Sequence, residues 1–128
     1  MVYTSYYGKV KNISEDIKRI SIALHPPSGI AYYIHGDCSI LFPNKETLSK
    51  YKYNTVFNKK FTEIDYEKEY RKKLNKINAE NLIDYLYKKY DTKDIVFVCY
   101  EKSGDFCHRN ILRAWLNENG IPCEEWNE

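Results

Sequence analysis

The chain has 128 residues, 43% of them hydrophobic, and carries a formal net charge of +2. That length suits one α/β-sized domain, and so small a charge gives no electrostatic case for a nucleic-acid partner. No apolar run nears the ~20 residues of a membrane span and no basic-then-apolar leader opens the chain, so a cytoplasmic protein without membrane contact is expected.

In chain order, Val2 to Tyr7 is rich in β-formers and predicts a first strand, left at Gly8 for a mostly polar connection to Asp16. Arg19 to Leu24 predicts a second strand. His25-Pro26-Pro27-Ser28-Gly29 ends it, since proline cannot extend a ladder. Between Ile30 and Phe42, Ala31-Tyr32-Tyr33-Ile34 reads either as strand or as loop, and Gly36-Asp37 reads as a turn. Pro43-Asn44 begins a new segment, with Lys45 to Tyr51 a short helix. A helix is predicted over Asp65 to Ile77, where Tyr66, Tyr70, Leu74 and Ile77 form one stripe. Asn78 is a plausible N-cap for a second helix from Ala79 to Tyr90, with Leu82, Ile83, Leu86 and Tyr90 on one face.

Asp94 to Cys99 is a continuous apolar run of the kind found in strands covered on both faces. Asp105 is placed to cap a helix from Phe106 to Asn119, with Ile111, Leu112 and Trp115 as its buried stripe and Gly120 as its stop. Ile121 to Glu124 predicts a last, short strand at or near the sheet edge. Strands alternating with helices predict a single α/β domain spanning residues 1–128. It has three layers, a small, mainly parallel sheet and right-handed crossovers, in the Rossmann-like manner. There is no internal repeat or low-complexity segment.

The most informative stretch runs from Val96 to Arg109. It places Glu101, Cys107, His108 and Arg109 where a strand's carboxyl end meets a helix N-terminus. In open α/β sheets ligands bind there, because loops diverge and unpaired helix N–H groups face the opening. At ~100° per residue His108 shares the face of Ile111, Leu112 and Trp115, so it points toward the sheet. It reads as a proton donor or acceptor, or as a half-buried structural histidine. Cys107 sits beside two cationic residue types and the helix dipole, which favour a nucleophilic thiolate; as a bland alternative it is a small packing residue. Arg109 is electrostatically awkward in a first turn and calls for an anion opposite, either a ligand or a carboxylate such as Glu101 or Asp105. Glu101 serves as a general base, grips a ribose, or pairs with Arg109. Tyr3, Thr4, Ser5 and Tyr6 on strand one, Cys99 ending strand three, and His25 after strand two would open onto the same edge. Tyr70 is among the tyrosines available to flank a ring.

The four cysteines, Cys38, Cys99, Cys107 and Cys123, have no tight framework spacing and are expected to be reduced. Sharper motifs do not fit. Cys107 and Arg113 have phosphatase-loop spacing, but His108 to Leu112 is too bulky to cradle phosphate. Cys99-Tyr100-Glu101 lacks the downstream Pro-Cys-x-x-Cys of zinc deaminases. A zinc site from Cys99, Cys107, His108 and Cys123 lacks a Cys-x2-4-Cys hook. No metal and no cofactor is expected. The 13 tyrosines could stack on bases, but with so much Lys, Asn and Ile they read first as compositional bias and core packing.

The Cys-x-Glu strand end followed by Cys107-His108-Arg109 resembles domain-of-unknown-function family 488, small prokaryotic and phage proteins. The resemblance extends to Val2-Tyr3-Thr4-Ser5-Tyr6-Tyr7, to Ile20 through Pro27, and to Trp115 through Ile121; Gly29 to Lys60 matches loosely. It implies a fold and a site and carries no established activity. The expected partner is an anionic, nucleotide-like small molecule. Arg109 and helix N–H groups would hold its phosphate, while Glu101, His108 and Cys107 would be available for chemistry. The rival expectation is a non-catalytic protein that senses or sequesters a nucleotide signal. The oligomeric state is left open.

Overall fold

A computed structural model describes residues 1–25, 29, 33–57, 61–100 and 106–126. Its five strands are β1 (Val2–Tyr6), β2 (Lys18–Ser21), β3 (Gly36–Asp37), β4 (Ile95–Cys99) and β5 (Cys123–Glu125). They form one sheet in the order β3-β2-β4-β1-β5, with every pairing parallel. The α-helices are α1 (Lys45–Phe57), α2 (Glu63–Leu74), α3 (Ala79–Lys89) and α4 (His108–Glu118). The fold is therefore the expected Rossmann-like α/β arrangement, with a sheet that is parallel throughout.

Strand β4 lies at the centre of the sheet, and all five of its residues are buried. Its side chains alternate between two clusters. Ile95, Phe97 and Cys99 join Val2, Ile20 and Ile22 beneath the helices, against Tyr70, Leu74, Leu86, Leu112 and Leu116. Val96 and Val98 face the other way, onto Tyr7, Val10, Ile13 and Ile17. The third layer is thus a 3-10 segment, Tyr7–Asn12, with irregular chain after it. Right-handed crossovers explain the division. The chain moves one way along the sheet from β1 to β3 and the opposite way from β3 to β5, so the connections cover opposite faces.

Several boundaries differ from the sequence-based expectation. Tyr7 leaves β1 for the 3-10 turn, where its hydroxyl pairs with that of Ser21 at 2.5 Å. Strand β2 stops at Ser21; the Ile22 N–H still reaches the Val98 carbonyl at 2.9 Å, but the next residues turn away. Gly36-Asp37 is an edge strand and not a turn, because Ile20 and Ser21 supply it with a partner in register. Helix α1 continues past Tyr51 to Phe57, and α2 begins at Glu63, where Thr62 and Asp65 form a reciprocal capping box. Asn78 caps α3 as expected, accepting from the Asn81 N–H at 3.0 Å. At α4 the N-cap residue is Cys107; Asp105, expected in that role, lies outside the described residues. Strand β5 is an edge strand, and the Asn117 amide blunts it by pairing with both the N–H (3.1 Å) and the carbonyl (2.9 Å) of Cys123.

Strand β2 hands its chain to one side of the sheet and its neighbour β4 hands its chain to the other. The loops that leave their carboxyl ends therefore diverge and open a crevice between Ser21 and Cys99.

Candidate functional site

A cavity of about 640 Å³ occupies this crevice. Ala23, Leu24 and His25 come to it from beyond β2, Tyr100 from beyond β4, and Phe106, Cys107 and His108 from the entry to α4. Leu48, Tyr51 and Lys52 of α1 and Tyr66 of α2 close the far side. Three of these rings brace one another: Tyr51, Tyr66 and Phe106 have centroids 5.1–5.5 Å apart. Tyr66 is buried and Tyr100 is 61% exposed, so the wall runs from a fixed aromatic floor to an open aromatic rim.

His108 is placed as its helical phase predicts, under α4 and against the sheet. Its Nε2–H donates to the Ile22 carbonyl oxygen at 2.7 Å. Because a carbonyl only accepts, the hydrogen bond assigns the proton to Nε2 and leaves Nδ1 with a bare lone pair. That nitrogen lies 3.8 Å from the Cys107 sulfur. The ring also meets Tyr70 edge-on at 5.4 Å. Burial pushes the His108 imidazole down to about 4, with the Arg109 and Lys73 charges lowering it further and the Ile22 hydrogen bond opposing them. At neutral pH His108 is an uncharged acceptor held in one tautomer.

The cysteine expectation is corrected. Cys99 and Cys107 are joined in a disulfide, while Cys38 and Cys123 are free and buried. The reason is positional: Cys99 ends β4 facing the helices, and Cys107, at the start of α4, is buried in the same cluster. In this form Cys107 has no thiolate to offer. Once the chain is reduced, we expect iodoacetamide near neutral pH to label Cys107 first. Burial pushes Cys38 up to about 11 and Cys123 up to about 12, which leaves both as unreactive thiols. Peptide mapping checks the order; early labelling of Cys38 or Cys123 would refute it.

Arg109 does not line the cavity. It is 1% exposed and belongs to a different cluster from the cavity wall. Its Nε and Nη2 donate to the Glu125 carboxylate at 3.0–3.2 Å, its Nη1 donates to the Cys99 sulfur at 3.0 Å, and its plane covers the Tyr6 ring at 5.4 Å. Among the described residues the carboxylate opposite Arg109 is thus Glu125. Parallel register explains the meeting, because Tyr6 pairs with Cys99 and Thr4 with Glu125, all on the helix-covered face. Thr4 donates to Glu125 at 2.6 Å, and Arg113, one helical turn from Arg109, donates to Thr4 (2.8 Å) and Glu125 (3.2 Å).

Of the other anticipated residues that are described, only His25 lines the cavity. Thr4 and Tyr6 serve the arginine cluster. Ser5 points to the opposite face by strand alternation, fully buried with its hydroxyl unpaired. Tyr70 is buried behind His108, its hydroxyl donating to the Leu41 carbonyl at 2.5 Å. Glu101 lies outside the described residues. Sequence reasoning missed Tyr51, Lys52, Tyr66 and Phe106 as cavity residues, and Arg113 and Glu125 as the arginine cluster. The i, i+4 spacing of Arg109 and Arg113 was the one available signal for the latter. Among the described residues no group of three His, Cys, Asp or Glu side chains gathers to hold a metal ion, and no helix is long and apolar enough to cross a membrane.

The chain matches the family model described as the Active DUF488-N3 subclade over residues 2–120. No curated protein and no solved structure matches it.

Proposed function

The chain belongs to the DUF488-N3 family, and we propose that it binds an anionic, nucleotide-like small molecule in the cavity between β2 and β4. The observation that carries this reading is the aromatic wall of Tyr51, Tyr66, Tyr100 and Phe106 around a space of about 640 Å³, inside the range typical of small-molecule sites. Those rings suit a planar heterocycle. Lys52 and the first-turn N–H groups of α4 suit the anionic end, in place of Arg109. As an enzyme, the protein would act through reduced Cys107, with the His108 Nδ1 lone pair accepting its proton. A second reading, a phage or bacterial protein that only senses or sequesters the ligand, is favoured by one observation: Cys107 is tied to Cys99.

The test begins with mass spectrometry of small molecules released by denaturing the purified protein, followed by calorimetric titration with the four ribonucleoside monophosphates. Lys52→Ala is expected to weaken binding of the best of them by about tenfold, and Tyr100→Ala by a similar factor. No released nucleotide and no titratable binding would refute the reading. Chromatography of nucleotide recovered from reduced protein then separates the two versions. Converted material identifies an enzyme; unchanged material under both redox states identifies a binder.

A further inference from the structure

We propose that Cys99 and Cys107 form a redox couple that exchanges with a small thiol admitted by the cavity, Cys107 being the sulfur attacked and Cys99 the sulfur released. The two sulfurs have different surroundings. Cys107 forms part of the cavity wall; Cys99 is fully buried and takes no part in it. A molecule in the cavity therefore reaches the disulfide from the Cys107 side. On the far side the Arg109 Nη1–H points at the Cys99 sulfur from 3.0 Å, and the guanidinium is fixed there by Glu125 and the Tyr6 ring. A guanidinium so placed stabilises the sulfur that leaves with negative charge.

The exchange balances in two steps. A small thiolate attacks the Cys107 Sγ, a mixed disulfide forms, and the electron pair of the broken S–S bond leaves on Cys99 as a thiolate facing Arg109. A second small thiolate attacks the outer sulfur of the mixed disulfide and releases Cys107, which takes a proton from solvent and turns its S–H toward His108 Nδ1. Two external thiolates are oxidised to one disulfide, and the protein disulfide is reduced to the Cys99 thiolate and the Cys107 thiol. The reverse sequence re-forms the bridge and removes the Cys107 nucleophile, so the state of the couple sets whether covalent chemistry at this cavity is available.

The experiment uses the full chain, with bis(2-hydroxyethyl) disulfide as oxidant and 2-mercaptoethanol as reductant. Peptide mapping of oxidised wild type should return a Cys99–Cys107 linkage that 2-mercaptoethanol opens. Cys99→Ser, lacking the sulfur that closes the bridge, should retain one hydroxyethyl adduct, on Cys107. Cys107→Ser should acquire its adduct on Cys99 at least tenfold more slowly, since Cys99 does not meet the cavity. Four free thiols after oxidation of wild type, adducts on Cys38 or Cys123, or equal rates in the two variants would overturn the proposal. The wild-type map needs no variant, so it decides whether the couple exists even where a serine variant fails to fold. No nucleotide enters the assay, which keeps its outcome separate from that of the ligand reading.

Discussion

Replacing Arg109 by methionine is expected to destabilise the protein by about 3 kcal/mol. Breaking a buried ion pair from one side typically costs ~3–5 kcal/mol, because the remaining charge stays buried without its partner. The low end applies here because Arg113 still reaches Glu125 Oε1 at 3.2 Å and Glu125 is 22% exposed. The loss also includes the contact with the Cys99 sulfur and the cover over Tyr6. Denaturant unfolding of wild type, Arg109→Met, Glu125→Leu and the double variant measures the effect as a cycle. The double variant should recover part of the loss, since removing both charges ends the desolvation penalty. A loss below about 1 kcal/mol would place the cluster with ordinary surface pairs.

Acidification from pH 7 to pH 4 is expected to remove about 3 kcal/mol of stability through His108 alone. Its native value of about 4 lies below the 6.5 of an unperturbed histidine. Between those values the unfolded chain binds a proton that the native chain does not, so stability falls as pH falls across that window. Each unit of difference is worth about 1.4 kcal/mol. Carboxylates and His35 titrate in the same region, so the comparison is with His108→Gln, whose amide can still donate to the Ile22 carbonyl. Urea midpoints at pH 7, 6, 5 and 4 should fall more steeply in wild type than in His108→Gln. Parallel slopes would show that His108 is protonated in the native state at its ordinary value.

Much of the fold was legible because its signals are local. The apolar run of β4, the stripe of Tyr66, Tyr70 and Leu74, and the stripe of Ile111, Leu112 and Trp115 are all periodic within a few turns or strand residues, and each lies in the core. The helical phase of His108 was legible for the same reason. Gly36-Asp37 was misread because a two-residue strand has no period of its own and exists only through its register with β2.

The site divides along the same line. That cavity-lining groups gather at a strand end and a helix start follows from element order, which the chain carries in its spacing. What fills the space opposite each of them depends on which distant segments the sheet brings together. Glu125 meets Arg109 because β5 docks beside β1 and sets Glu125 level with Thr4. Tyr51 and Lys52 reach the cavity because α1 packs across α2. Cys99 meets Cys107 because the end of β4 and the start of α4 are buried in one cluster. Side-chain type and periodicity act over one or two turns, whereas ionic pairing, burial and sulfur chemistry act between atoms a few ångströms apart. Only the folded sheet brings residues 99, 109 and 125 that close.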